Sequence, residues 1–319
     1  MKIAYHLYQL HFKRRYGDFS SKVPRKGALL QITFHDGLIG YCDCHPWVEL
    51  GDESLENQLH LLSQNARTPL LERSLHFANL DANARKERHS LFKGMTIPLC
   101  HQLISLSDNL PELSSQGLTH FKLKVGSFPD VEISTMQLWV QNISGLHFRL
   151  DFNEKLSRKI FHEYWEKIPY EVRECIDLVE DPYPYDSDAW TQDQLALQVS
   201  FAADRKCLLA LQSPDSAHYC VYKPAVESSP KSFEHTTKLI ITSYLDHPFG
   251  QMCAAYEAAR LSNLYPQQVS LCGLLTHKCF QEDPFISSIH SRGGQLMPQE
   301  GTGFGFNTLL KDIPWKKLV

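Results

Sequence analysis

The sequence has no apolar run approaching the roughly 18 residues a bilayer-spanning helix needs. Its opening stretch MKIAYHLYQLHFKRR also lacks the long apolar core of a secretory signal. There is no basic surplus: 32 Lys and Arg stand against 36 Asp and Glu, a net charge of −4. Neither nucleic acid nor an anionic membrane surface is therefore an expected partner. Zinc-type spacing is missing, since Cys42-x-Cys44 is too tight for a zinc knuckle and no matching pair follows. The 16 histidines form no H-x-x-x-H pair on a credible helix. The nine cysteines are odd in number and scattered, and Cys175, Cys220 and Cys272 lie in apolar strand-like runs that suit a small buried thiol. The expectation is a reduced, cytoplasmic protein. GTGFGFN, near the end, lacks the preceding strand and following helix that a phosphate loop requires, and its glycines read as turn residues.

What is present is a globular composition. Over 319 residues, 43% are hydrophobic and 21% charged, enough for a core in two domains or in one large barrel with an attachment. Residues 1–45 read as β structure, with Asp36-Gly37 as a hairpin turn, and 53–93 read as helical; together they suggest a compact α+β domain. From about residue 96 short apolar strands alternate with helical stretches: TIPLCHQLI, HFKLKV, LHFRLDFN, CIDLVEDP, QVSFAAD, HYCVYKPA, LIITSYLD and QVSLCG. Eight βα-type units imply a parallel sheet closed into an α/β barrel. The tail breaks that rhythm and is expected to fold back on the first domain. The division is 1–94, 95–289 and 290–319.

The unusual polar residues fall at the carboxyl ends of these strands. Lys122 and Lys124 end the second, Asp151 and Asn153 the third, and Glu180 and Asp181 the fourth. Asp204 ends the fifth, Lys223 the sixth, and Ser243 and Asp246 the seventh. In a parallel barrel those ends share one mouth, where such folds build their sites. Residues two apart on a strand point the same way, so both lysines of FKLKV face the interior, where carboxylates must compensate them. Asp151, Glu180 and Asp204 follow one another at 29 and 24 residues, one βα unit each. Three carboxylates on successive strands offer hard oxygen ligands that suit Mg²⁺; the alternative reading is a charge network with the lysines. The second and sixth strands lie across the barrel, so Lys124 and Lys223 would face a bound substrate from opposite sides. A lysine beside a cation and another ammonium has a lowered pKa and can act as a base.

This constellation resembles the enolase superfamily, in its muconate-cycloisomerase-like subgroup. Lys122-Leu-Lys124, Asp151-Phe-Asn153, Glu180-Asp-Pro182, Asp204 and Lys223-Pro224 stand in the order and spacing found there. Within the subgroup the chain is most similar to the o-succinylbenzoate synthases, through FRLDFNEKL with Arg149 and through GLIGYCDCHPWVELGDESLE. The resemblance implies a (β/α)7β barrel, a modified (β/α)8 barrel, capped by an α+β domain. It implies Mg²⁺-dependent dehydration of 2-succinyl-6-hydroxy-2,4-cyclohexadiene-1-carboxylate to o-succinylbenzoate, in menaquinone biosynthesis. It makes Lys124 the acid/base and Lys223 the enediolate-stabilising cation, with Asp151, Glu180 and Asp204 as metal ligands and Arg149 behind them. It places Lys122 and Asn153 beside the substrate carboxylate and the metal ligands. Ser243 is a further candidate contact, and Gly273 and Leu274 are candidates for the succinyl pocket. N-acylamino acid racemisation or dipeptide epimerisation is the alternative within the subgroup. The partner is a small-molecule carboxylate, and the oligomeric state is left open, a monomer included. Two segments depart from the pattern: Asp204-Arg205-Lys206 where relatives often have Asp-Glu-Ser, and Asp246-His247 where they often have Glu-Ser. The capping loop that sets specificity is expected around FKRRYGDFS. Weaker candidates are His45 and Trp47 as substrate contacts, and Arg14 and Arg15 as partners of a second carboxylate.

Overall fold

The computed structural model describes residues 1–16, 23–229 and 237–319. Three antiparallel strands open the chain: β1 (Lys2–Leu10), β2 (Arg25–Thr33) and β3 (Ile39–Cys44). The β2–β3 turn is closed at Asp36-Gly37, where Gly37 adopts φ +83° and Asp36 accepts from the Leu38 N–H at 3.1 Å. Two helices follow, α1 (Leu55–Ser63) and α2 (Pro69–Lys86). Each starts where a hydroxyl side chain, Ser54 or Thr68, accepts from a first-turn helix N–H. Chain residues Lys316–Lys317 pair with the outer edge of β1.

Seven parallel strands come next, side by side in chain order: β4 (Gln102–Ile104), β5 (His120–Lys124), β6 (His147–Asp151), β7 (Ile176–Glu180), β8 (Ser200–Ala203), β9 (Tyr219–Tyr222) and β10 (Lys238–Ile241). The eighth expected strand, 268–273, runs as isolated bridges rather than a regular ladder. It bridges Leu239 and Thr242 on one side and Cys100 on the other, so the sheet closes into a barrel. The backbone bonds Gly273 N–H to Ile241 O (2.8 Å) and Cys272 N–H to Leu99 O (2.9 Å) make the seam.

Helices α3 (Leu110–Ser115), α4 (Pro129–Asn142), α5 (Arg158–Lys167), α6 (Tyr170–Arg173), α7 (Ser187–Leu197), α8 (Cys207–Ala210) and α9 (Pro248–Leu264) cover the outside. Among the described residues no helix separates β9 from β10, where the βα alternation leads one to expect one. Alternate residues of β5 show how the pattern works: Phe121 and Leu123 are buried, and His120, Lys122 and Lys124 alternate with them on the inner side. Outside the barrel, Phe152, Phe161, Tyr183, Trp190 and Phe201 form a continuous aromatic cluster, with Phe152–Phe161 centroids 5.3 Å apart and Trp190–Phe201 5.4 Å. Deeper in the barrel, Leu178, Ala202, Val221 and Ile240 form an apolar patch, with Leu178 directly beside Arg149.

The tail segment GTGFGF packs against the N-terminal unit. Phe304 is buried against Phe77 and Phe249, and its N–H is accepted by Asp81 Oδ1 at 2.9 Å. Those contacts leave it no role as a phosphate loop. No helix among the described residues is long and apolar enough to cross a membrane, and all nine cysteines are free.

Candidate active site

One cavity at the carboxyl ends of the strands collects nearly all the polar residues singled out in the sequence. Lys122, Lys124, Asp151, Asn153, Glu180, Asp204, Lys223, Ser243 and Gly273 all line it. The parallel register brings them together: Lys124 pairs with Asp151, and Asp151 with Glu180, so their side chains share one layer. Lys122 Nζ bridges Asp151 Oδ2 (2.8 Å) and both Glu180 oxygens (2.8 and 2.9 Å). Lys124 Nζ is 3.3 Å from Asp151 Oδ2 and donates to Asn153 Oδ1 at 3.2 Å. Arg149 lies behind Glu180, donating from Nε at 2.6 Å. Across the barrel, Lys223 Nζ is in close contact with Asp204 Oδ1.

The charges tune one another. Burial pushes the Asp151 carboxyl up, but Lys122 and Lys124 outweigh it and hold it below its ordinary range. Asp204 behaves alike through Lys223. Burial alone would push Lys122 down, yet Asp151 and Glu180 raise it. At Lys223 burial acts downward, but the adjoining Asp204 carboxylate raises it. Asp181 is pushed well up, first by burial and then by Asp204, Glu180 and Asp151.

Glu180, Asp181 and Asp204 each place a carboxylate oxygen within 4.8 Å of the other two. Asp181 is the member that strand-end spacing did not single out as a ligand, although the Glu-Asp pair was visible. It is held in a left-handed backbone conformation (φ +44°) and accepts from the Asp204 and Arg205 N–H groups at 3.0 and 3.2 Å. Asp151 is drawn instead toward the two lysines.

Several expectations need correction. Leu274 is fully buried, and its carbonyl accepts from Gln251; Leu275 lines the cavity in its place. His45 lies away from the cavity, whereas Trp47 lines it. Arg14 is paired with Asp108 at 2.8 Å. Residues 17–20 of FKRRYGDFS fall outside the described residues. Sequence reading missed Tyr244, Thr276 and His101 as lining residues. Thr276 Oγ1 stands 2.6 Å from Ser243 Oγ, and Trp47 Nε1 donates to Tyr244 O at 2.6 Å, which seats the Trp47 loop on the rim. Gly273 is required where it stands, since a methyl group there would come within 2.8 Å of Thr242 and 3.2 Å of His101.

Asp246 does not reach the mouth at all. It packs with Asp43 of β3 in a separate small cavity between the N-terminal sheet and the barrel, both carboxylates converging on Gly250. Tyr8 donates to Asp43 Oδ1 at 2.6 Å, the His247 N–H reaches Asp43 Oδ2 at 3.2 Å, and His45 Nδ1 lies 2.9 Å from the Tyr8 hydroxyl. Burial pushes Asp43 up to about 7, and burial together with Asp43 pushes Asp246 well up. In the unfolded chain both acids titrate near their ordinary value of about 4. Between about pH 4 and 7 the folded state thus holds protons the unfolded chain has released, so stability falls as pH rises through that window. Urea midpoints should therefore decline from about pH 5 to pH 8, and Asp246→Asn should flatten the decline; a flat wild-type profile would contradict the assignment.

The family model described as O-succinylbenzoate synthase, N-terminal domain, matches residues 3–84. An o-succinylbenzoate synthase of Bdellovibrio bacteriovorus is 32% identical over 328 aligned residues, covering 100% of this chain and 99% of that protein. The chain belongs to the o-succinylbenzoate synthase family. It is thus an enzyme of the lyase type. Its fold is shared with solved muconate lactonizing enzymes and a dipeptide epimerase. The muconate lactonizing enzyme of Pseudomonas putida superposes with a TM-score of 0.71 at 14% identity, covering 95% of each chain. A dipeptide epimerase of Enterococcus faecalis superposes with a TM-score of 0.72 at 15% identity, covering 96% of this chain and 99% of that one. At such identities the likeness speaks for the barrel and its cap, and the family assignment rests on the synthase relative and the family model.

Proposed function

We propose that the cavity carries out Mg²⁺-dependent syn-dehydration of 2-succinyl-6-hydroxy-2,4-cyclohexadiene-1-carboxylate to o-succinylbenzoate, as a step of menaquinone biosynthesis in the cytoplasm. In this reading residues 95–289 form the catalytic barrel, and 1–94 with 290–319 form the cap. The observation that carries it is the pair Lys124 and Lys223, on the second and sixth barrel strands, with the carboxylates between them. The donor set fits a hard divalent cation: Glu180, Asp204 and Asp151 or Asp181 offer oxygens only. When bound, the cation supplies positive charge for the oxyanion that develops on the substrate carboxylate.

The side chains supply the rest. Lys124 Nζ removes the proton on the carbon bearing the carboxylate, and the electron pair moves into the carboxylate to give the enediolate. Lys223 faces that charge from the opposite wall and stabilises it. The Lys124 ammonium then returns its proton to the 6-hydroxyl on the same face. The C–O bond breaks, water leaves and the ring becomes aromatic. Asn153, bonded to Lys124, orients its amine; Lys122 and Arg149 compensate Glu180.

The substrate has a second carboxylate on its succinyl arm. Arg205 lines the cavity with its side chain 47% exposed, its Nε no nearer than 4.0 Å to Glu154. It is the partner this reading assigns to that carboxylate. Arg205→Met should raise KM about tenfold with kcat little changed, measured by steady-state kinetics; an unchanged KM would remove Arg205 from the binding set.

Proton NMR of the reaction mixture tests the function itself. Aromatic resonances of o-succinylbenzoate are expected from the cyclohexadiene carboxylate. Inert diene, combined with α-deuteration of N-acylamino acids or dipeptides in D₂O, would transfer the same two lysines to racemisation.

A further inference from the structure

The opposite, N-terminal mouth of the barrel carries a second cluster of ligating side chains. His120 and His147 are the first residues of β5 and β6 and lie directly across from each other. Their rings stack with centroids 4.5 Å apart. On the next strand the register shifts: Phe148 pairs with Ile176 but Arg149 with Leu178, which leaves Asp177 as an extra, bulged residue. A bulge re-aims a side chain, and here Asp177 Oδ1 lies 2.8 Å from His147 Nδ1 while Oδ2 is 3.9 Å from His120 Nε2. One ligand atom from each of the three lies within 4.8 Å of the other two. Thr119 Oγ1, 2.9 Å from His120 Nδ1, can accept that ring N–H and leave Nε2 as a free lone pair. Burial, then the neighbouring His147, pushes His120 down, which favours the neutral imidazole a metal requires. A cavity of about 310 Å³ adjoins the cluster, with His101 and Arg149 among its walls, and gives water access to the site.

We propose that His120, His147 and Asp177 bind a divalent transition-metal ion of the zinc type, at a site separate from the catalytic carboxylates. Two imidazole nitrogens and one carboxylate oxygen suit Zn²⁺, Ni²⁺ or Cu²⁺, whereas the oxygen-only set at the other mouth suits Mg²⁺. Water from the cavity completes the coordination. The ion ties the starts of three adjacent strands together and stabilises the folded barrel by mass action. It takes no part in the dehydration, whose residues stand at the far ends of the same strands. A plain surface ion pair needs His147 and Asp177 alone; the bulge, the second histidine and the threonine that orients it are accounted for by a cation.

The test is calorimetric titration of the metal-stripped full chain with ZnCl₂ under saturating Mg²⁺, with melting followed in parallel. A single equivalent of Zn²⁺ should bind and raise the melting temperature, and Asp204→Asn should retain that binding. His147→Gln and, separately, the isosteric Asp177→Asn should lose it while turning over substrate with Mg²⁺ at the wild-type rate. No Zn²⁺ binding under Mg²⁺, or binding that is lost in Asp204→Asn yet kept in both mouth variants, would overturn the proposal.

Discussion

Lys124→Ala should lower turnover by about 10³-fold or more while leaving Mg²⁺ affinity close to wild type. Lys124 is assigned both proton transfers, so its loss removes the base of the first step and the acid of the second. The substitution should not unfold the site. Asp151, the carboxylate Lys124 touches at 3.3 Å, keeps Lys122 at 2.8 Å and accepts the Asn153 N–H at 3.0 Å. Lys124→Arg separates chemistry from charge, because a guanidinium keeps the positive charge but does not give up its proton near neutral pH. Both variants should be inactive with an intact melting curve and Mg²⁺ titration. An active arginine variant would reduce Lys124 to a bystander cation.

Glu180→Gln should be the more damaging change to the protein as a whole. Glu180 is fully buried and accepts from Lys122 through both oxygens and from Arg149 at 2.6 Å. Neutralising it leaves two cations facing an amide in the barrel interior. Breaking a buried ion pair by removing one partner costs about 3–5 kcal/mol, so a clear fall in the denaturation midpoint is expected. The same substitution removes one carboxylate from the oxygen cluster, and Mg²⁺ affinity should drop at least about tenfold. A stable variant with an unchanged Mg²⁺ titration would count against both roles.

Much of this site was legible in the chain because parallel βα repetition converts a local rule into a global one. A charged residue that ends an apolar run must sit at the shared mouth, and Lys124, Asp151, Glu180, Asp204 and Lys223 do. The rule fails where the chain leaves the strand. Asp246 lies beyond the end of β10, at Ile241, and there the chain carries it to Asp43 at the cap instead of to the mouth. Leu274 and Leu275 adjoin in sequence, and only the loop geometry decides which faces the cavity. Asp177 eluded the pattern for a different reason: period-two alternation cannot register a bulge, which changes a side chain's direction with no mark in the composition. The rim contacts of Trp47 and Tyr244 depend on how two sequence-distant segments dock, which no local pattern encodes.

The most direct test of the central claim is the absorbance of the cyclohexadiene chromophore after mixing 2-succinyl-6-hydroxy-2,4-cyclohexadiene-1-carboxylate with the purified protein, first with Mg²⁺ and then with a chelator. Rapid loss of the diene signal that stops on chelation and returns with added Mg²⁺ is the predicted result. A signal that persists with Mg²⁺ present, in protein shown to bind the ion, would contradict the assignment of this cavity to the dehydration.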